Sequence, residues 1–512
     1  LELVFDSETG VLLEEPRIDA IRAIRQVTLW PGKIFEVCDG DRELASYRSY
    51  LEIETHMSED PLPADLHSEL ASTASRYFGE ALSRIDQSVF EGRMVCSHGP
   101  GATADRVSGN QKFHIRRWTS RLDEWFPVAD HVVPSYGYFD EISRVKWDEP
   151  GAEVPVRVIS VPKTAAKARI IAMEPLHMQF AQQGLLREFV REFSGKAPFV
   201  NLRDQEPNQE LARQGSMDGS IATIDLSEAS DRVSLQLVRS VFAHYPNLLG
   251  ALEASRSLRA QLPDGSVTSL KKFASMGSAT CFPVESIVFA TIALVSGERV
   301  VGNASVPRQD MKSWREKTRV FGDDIVIPTA MVPTCLSLLS SLGMKVNAHK
   351  SFWTGKFRES CGKEYYDGHD VTVARLRQRL PRDKRSAREV ASLISFRNHL
   401  YERGFWLVSG KIDDKVRKYG PLPIVEPTSP VLGRFSVCFS EVNQKWDPDL
   451  QIPLVRGMKL ISRPPRSIAD DLGALMKCLS PVRHEPFQDP RHLERAGRPR
   501  AVYIKHGWFS RS

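Results

Sequence analysis

Residues 320 to 327 read V-F-G-D-D-I-V-I, which sets two carboxylates, Asp323 and Asp324, side by side after a glycine and between two short apolar runs. Like charges this close repel, and burial disfavours the ionised form of each. A cation resident between them would relieve both penalties. A third carboxylate, Asp225, ends the apolar run A-T-I-D-L. If the two segments are neighbours in one sheet, three carboxylates converge at one edge. A hard cation such as Mg²⁺ binds through one or two carboxylates plus water and substrate phosphates. Two such ions, about 3.5–4 Å apart, can activate an attacking oxygen and stabilise a leaving one in phosphoryl displacement. Gly322 would let the tip turn tightly and the phosphates approach. G-D-D alone is a common turn, so the signal lies in its combination with D-L-S-E-A-S-D (225 to 231) and the segments below.

Arg157, Lys163, Lys167 and Arg169 surround a basic turn. Arg gives bidentate contacts to phosphate and Lys a point charge, so the four could cradle a triphosphate; a solvated hairpin is the plainer reading. In F-A-S-M-G-S-A-T-C-F-P-V-E-S (273 to 286), Ser275, Gly277, Ser278 and Thr280 could touch a template backbone or a ribose hydroxyl, or merely cap the next helix. Lys345 and Lys350 flank a strand, and either could protonate departing pyrophosphate. Ser227 and Asp231 are candidate helix caps.

These residues need elements to hold them. Residues 1 to 95 read as mainly helical, with a break near Pro61. Residues 154 to 172 read as strand, basic turn, strand, and Pro175 to Phe193 as a helix with apolar spacing. The run I-A-T-I-D-L-S passes from strand to helix, and the apolar stretch after Glu285 reads as a buried helix. V-F-G-D-D-I-V-I reads as a hairpin, followed by a helix closed at Gly343 and a strand M-K-V-N-A-H-K-S-F. That order predicts an α+β fold with helices packed on one face of a sheet.

At 512 residues there is room for two to four subdomains. The net charge of +5 is mild, but from Val455 onward twelve Lys/Arg stand against five Asp/Glu, fitting a solvated tail or a nucleic-acid-facing surface. Seven scattered cysteines without a C-x-x-C pair argue against a disulfide framework or a zinc site, and fit a reducing cytoplasm. The longest apolar stretch is far short of the ~20 residues of a membrane helix. No signal peptide is evident, and the sequence starts at Leu1 rather than Met, as expected of a chain with a piece missing in front.

Together, V-P-K-T-A-A-K-A-R-I-I-A-M-E-P (161 to 175), A-T-I-D-L-S-E-A-S-D (222 to 231), L-P-D-G-S-V (262 to 267), S-M-G (275 to 277), V-F-G-D-D-I-V-I-P (320 to 328) and F-R-E-S-C-G-K-E-Y-Y-D-G-H-D-V-T (357 to 372) resemble the RNA-directed RNA polymerases of single-stranded RNA bacteriophages, the levivirus-type replicase catalytic subunits. The resemblance runs from about Gly99 to Thr372. It implies a right-hand polymerase: 1–95 a helical region associated with fingers and thumb, 96–220 fingers with the NTP-facing hairpin 157–169, 221–372 palm (235–274 partly fingers), and 373–512 thumb and basic C-terminal region. It further implies two Mg²⁺ ions, replaceable by Mn²⁺, on Asp225, Asp323, Asp324 and the Leu226 carbonyl. Arg157, Lys163, Lys167, Arg169 and Asp231 would face the nucleotide, and Ser275, Gly277 and Ser278 the template and ribose. Implied partners are RNA template and product, NTPs, host elongation factors Tu and Ts and a ribosomal protein, in the cytoplasm of an infected bacterium, without a membrane.

Two positions depart from the pattern. Ser230 stands where many RNA polymerases carry a second Asp, with Asp231 one further on, and Thr280 is one residue out of step. A reverse transcriptase would place a bulky aromatic just after Asp225, where this chain has Leu226-Ser227-Glu228. A metal-dependent nuclease or phosphatase would need no triphosphate-binding hairpin, and a silent RNA-binding scaffold no intact aspartates. For stacking on template bases, Tyr365, Tyr366, Trp406 and Trp508 are candidates.

Overall fold

Three helices open the chain, α1 (Ile18–Leu29), α2 (Gly40–His56) and α3 (Ala64–Phe90), with the expected break around Pro61. α3 buries Leu70, Ala74, Phe78, Leu82, Ile85 and Val89, a spacing of three and four that lines one helical face. The computed structural model describes residues 1–36, 38–99, 101–133, 135–149, 151–164, 167–195, 198–302, 313–438, 444–463, 471–479 and 501–510.

The predicted basic hairpin is β1 (Val156–Pro162) and β2 (Ala168–Met173), paired antiparallel from Arg157↔Met173 to Pro162↔Ala168. Helix α4 (Leu176–Glu192) follows. Then come β3 (Ile221–Ser227), β4 (Arg259–Gln261), β5 (Val267–Ser269), α5 (Cys281–Gly302), β6 (Arg319–Phe321), β7 (Asp324–Pro328), α6 (Val332–Ser341) and β8 (Lys345–Val346). They form two four-stranded sheets, β2-β1-β4-β5 and the antiparallel β8-β3-β7-β6. β8 is shorter than the predicted strand because a turn intervenes, Lys350 N–H donating to the Asn347 carbonyl at 3.0 Å. Pairing resumes as a lone bridge between Thr223 and Phe352.

Strand alternation divides the second sheet. Ala222, Ile224 and Leu226 join Ile325 and Ile327 in the main core, beside Val284, Ile287 and Val288 of α5 and Leu338 of α6. Asp225 therefore takes the opposite face from its two neighbours. α5 is apolar on almost every side and accordingly buried. This is the α+β arrangement expected, helices on one face of an antiparallel sheet.

The chain continues through a three-stranded sheet, β9 (Phe357–Ser360), β10 (Lys363–Tyr366) and β11 (His369–Asp370), to helices α7 (Ala387–Glu402) and α8 (Trp406–Val416). These helices share a second core with Ala374, Leu376, Val390, Leu393 and Ile412, crossed by a buried ion pair, Arg397 Nε to Asp413 Oδ1 at 2.7 Å. Last come β12 (Val431–Leu432), β13 (Gln444–Asp447), β14 (Ile452–Arg463) and β15 (Ala501–Ser510), β14 pairing with the other three. Much of the basic C-terminal run, including Arg483, Arg491, Arg495 and Arg498, lies outside the described residues. None of the seven cysteines is in a disulfide. Among the described residues no helix is long and apolar enough to cross a membrane.

Candidate active site

The convergence inferred from sequence is present, and the register states it. Asp225 of β3 is the antiparallel partner of Asp324 in β7, and Phe321 of β6 is Asp324's partner on the other side. Directly opposed residues share a sheet face, so Asp225 and Asp324 lie together, with Asp323 in the turn beside them. Gly322 has φ +61°, the conformation a two-residue hairpin needs at its first position. A Cβ there would meet the Phe282 ring at 2.8 Å. The close approach that Gly322 permits is thus to the first turn of α5, and its N–H is taken by Ser286 Oγ at 3.0 Å.

Each carboxylate has its own surroundings. Asp225 Oδ2 accepts from Asn347 Nδ2 at 2.8 Å, and Lys350 Nζ stands 3.4 Å from Oδ1. Its backbone N–H goes to Ser351 Oγ at 3.1 Å. Asp324 Oδ2 accepts the Cys361 N–H at 3.1 Å. Burial, then the charges of Asp323 and Asp225, push the Asp324 carboxyl up to about 7, against the pull of that N–H. Asp323 opens onto the surface, yet protein crowds it on its other sides; this desolvation, then Asp225, raises its carboxyl. Burial works against the charge of Lys350, but Asp225 and Glu359 hold its ammonium above the usual range.

Among the described residues no three His, Cys, Asp or Glu side chains stand ready as a metal cage. The donor set nonetheless fits a hard cation, because Mg²⁺ takes only one or two carboxylates and completes its shell with water and phosphate. The mutual repulsion of the aspartates is what such an ion would cancel. The side chain of Leu226 is buried in the core, leaving its backbone carbonyl as the group available.

The basic hairpin divides. Lys163 lies near Asp323 and Asp225, which favour its charge, whereas burial and then Arg169 and Lys350 lower its pKa. Arg169 is exposed close by. Lys167 is engaged with Glu228 at 2.6 Å, and Arg232 reaches the other Glu228 oxygen at 3.2 Å. Arg157 sits at the far end of β1, opposite Met173, its guanidinium 3.5 Å from the Met173 sulfur, and so apart from the tip cations. Ala165 and Ala166 of the tip lie outside the described residues.

The loop 275–278 is held from behind. Ser275 Oγ is 3.0 Å from the Tyr50 hydroxyl, and Ser278 Oγ is 3.0 Å from Thr280 Oγ1. Gly277 has φ +127°, and a Cβ on it would come within 2.0 Å of the Ala172 carbonyl oxygen. The adjacent Met276 carbonyl accepts the Ala172 N–H at 2.8 Å, so the loop is stitched to the basic hairpin. Neither candidate cap acts as one. Asp231 receives Lys272 Nζ at 3.0 Å, and it is Ser234 that caps the next helix, accepting the Leu237 N–H. Lys345 lines a hollow with Glu52, His56, Glu228 and Arg232, while Lys350 alone of the two reaches Asp225.

Sequence reasoning missed Asn347, Cys361, Glu285 and Lys272. Glu285 is a buried carboxyl beside Asp323 and Asp231, its pKa well above normal through burial first and then those two charges. Asn347 lies in a segment read as strand, and its role needs only the register of β8 on β3. Of the aromatic candidates, Tyr365 and Tyr366 are buried in packing and cannot take a base, whereas Trp406 and Trp508 are exposed.

Residues 151–407 match the model of a family described as RNA replicase, beta-chain. The RNA-directed RNA polymerase subunit beta of Escherichia virus Qbeta is 36% identical over 248 residues, 48% of this chain and 38% of that protein. The RNA-directed RNA polymerase beta chain of Escherichia phage MS2 is 35% identical over 262 residues, 51% of this chain and 43% of that protein. The chain thus spans about two fifths of the length of these relatives. The crystal structure of the RNA-dependent RNA polymerase of a human picorbirnavirus overlaps 79% of this chain and 79% of that chain, at 10% identity and a TM-score of 0.45.

Proposed function

The chain belongs to the RNA replicase beta-chain family, and from that premise we propose that it copies single-stranded phage RNA, transferring nucleoside monophosphates from NTPs to an RNA 3′-hydroxyl with release of pyrophosphate. The observation that carries this reading is the pairing of Asp225 with Asp324 beside the Gly322–Asp323 turn. Asp225 and Asp323 would hold two Mg²⁺ ions, replaceable by Mn²⁺, with Asp324 and the Leu226 carbonyl assisting; such ions would supply activation of the 3′-hydroxyl and neutralisation of the departing charge.

The chain's own residues do the remainder, which in phosphoryl transfer is chiefly positioning and electrostatics. Asn347 and Lys350 fix the Asp225 carboxylate in one orientation. The Cys361 N–H turns Asp324 partly aside, which makes it the supporting carboxylate. Lys163 and Arg169 bind the triphosphate, and Lys167 joins them if it leaves Glu228; Arg157 supports the hairpin from its far end. Ser275, Gly277 and Ser278 shape the wall of the template and ribose pocket, and Asp231 receives the ribose. Lys350 is better placed than Lys345 to meet departing pyrophosphate.

The segments follow the hand: 1–95 associated with fingers and thumb, 96–220 fingers, 221–372 palm with 235–274 partly fingers, and 373–512 thumb. Partners would be template and product RNA, NTPs, and host proteins including elongation factors Tu and Ts and a ribosomal protein, in the cytoplasm of the infected bacterium.

The test is labelled-NTP incorporation on a single-stranded RNA template with Mg²⁺, with and without bacterial extract, beside Asp323→Asn. Template-dependent product that the variant loses supports the reading, and a need for extract points to host subunits. RNA shortening without NTPs, absent in the variant, would mean a nuclease instead.

A further inference from the structure

The most thoroughly buried charge near the site is one the polymerase reading leaves without a role. Lys272 is fully buried, just before the loop 275–278. Its ammonium lies 3.0 Å from Asp231 Oδ1 and 3.2 Å from Glu54 Oε1. It also sits 3.5 Å from the centroid of the Tyr50 ring, a cation–π contact strengthened by desolvation. The Tyr50 hydroxyl in turn is 3.0 Å from Ser275 Oγ. Glu54 closes the cluster, its Oε2 accepting the Lys271 N–H at 2.7 Å. One lysine thereby ties helix α2, the turn after Asp225 and the Ser275 loop to a single point.

Stability alone accounts poorly for this. Replacing a buried ion cluster with well-packed apolar groups is often neutral or stabilising. The cluster does have one open side: the Asp231 side chain keeps 13% of its surface exposed against 0% for Lys272. Glu285 connects it to the aspartate cluster, since the charges of both Asp231 and Asp323 act on that carboxyl. A carboxylate facing an ammonium accepts hydrogen bonds and donates none, so Asp231, held by Lys272 Nζ at 3.0 Å, is suited to a hydroxyl donor. A site built to bind a substrate hydroxyl discriminates strongly against the analogue that lacks it.

We propose that Lys272 is a positioning residue for ribose selection, holding Asp231 as the acceptor for a sugar hydroxyl and, through Tyr50, holding Ser275, so that helix α2 takes part in choosing the nucleotide. The inference rests on the polymerase reading and extends it to residues that reading does not use.

The experiment compares kcat and KM for an NTP and the matching 2′-deoxy-NTP on a single-stranded RNA template, in the full chain, Lys272→Met and Tyr50→Phe. The parent should prefer the ribonucleotide. Lys272→Met should cut that preference roughly tenfold or more, mainly through a higher KM for the NTP. Tyr50→Phe keeps the ring under the ammonium and loses only the hydroxyl, and should cut the preference by a smaller factor. If both variants slow the two substrates equally and leave the ratio unchanged, Lys272 is structural only and the inference is overturned. Should Lys272→Met fail to fold, Tyr50→Phe decides by the same ratio. A folded parent that incorporates neither substrate, with or without bacterial extract, overturns the polymerase reading and this inference with it.

Discussion

Asp225 and Asp324 are direct partners across β3 and β7, yet their carboxylates are held in different ways. Asn347 donates to Asp225 from a side chain at 2.8 Å, and Cys361 donates to Asp324 from the backbone at 3.1 Å. A side-chain amide can swing with its carboxylate, whereas a strand-end N–H cannot. Asp225 is thus oriented by side chains from the segment after β8, and Asp324 by the backbone at the end of β9.

A divalent cation should stabilise the fold through this cluster, because it relieves repulsion present only in the native state. At a hundredfold excess over its dissociation constant, Mg²⁺ would add about 2.7 kcal/mol. A melting series in Mg²⁺ should show the parent rising and Asp323→Asn responding weakly, while the variant without metal is no less stable than the parent. Equal shifts in both proteins would place the ion elsewhere.

Lys350 is expected to act through its charge. Its ammonium is drawn to Asp225 and Glu359 and is held above the usual range despite burial, which makes it a weaker acid. Lys350→Met should lower incorporation about 10²-fold, and Lys350→Arg should keep most of it. An arginine variant as inactive as the methionine one would instead indicate proton donation.

Gly277→Ala tests how the Ser275 loop is seated. The left-handed φ of +127° and a Cβ within 2.0 Å of the Ala172 carbonyl act together. Backbone strain and overpacking should cost about 3 kcal/mol or more, read from urea denaturation. A loss under about 1 kcal/mol would mean that the loop and hairpin separate easily.

His177 supplies a pH signature away from the site. It is buried on α4 against Trp118. Burial pushes its pKa down to about 4, with Asp105, Asp148 and Glu153 opposing. The unfolded chain therefore takes up this proton first. The contribution is full above the unfolded value near 6.5 and is lost as pH falls towards 4, on the order of 3 kcal/mol at the limit. Asp324 and Glu285, with raised values, act in the opposite sense. The readout is thus the difference between parent and His177→Gln across pH 6.5 to 4, and a pH-independent difference would contradict it.

The local elements were legible because their signals are local. The apolar run 286–296 reads as a buried helix, Gly322 marks a turn, and alternation about Ile224 marks a strand. The three aspartates were legible too, since adjacent carboxylates in an apolar context are costly without a cation. Sequence alone also yielded the wrong caps in Ser227 and Asp231, because capping and ion pairing call on the same short polar side chains. What only the tertiary structure decided was which residues meet across distance. Asn347 on Asp225, Lys167 on Glu228, the burial of Tyr365 and Tyr366, and the gathering of Tyr50, Glu54, Asp231 and Ser275 around Lys272 all depend on register and packing. A periodic pattern fixes which face a residue takes, but the partner on that face comes from another element, and its choice rests on the free energy of the whole packed core.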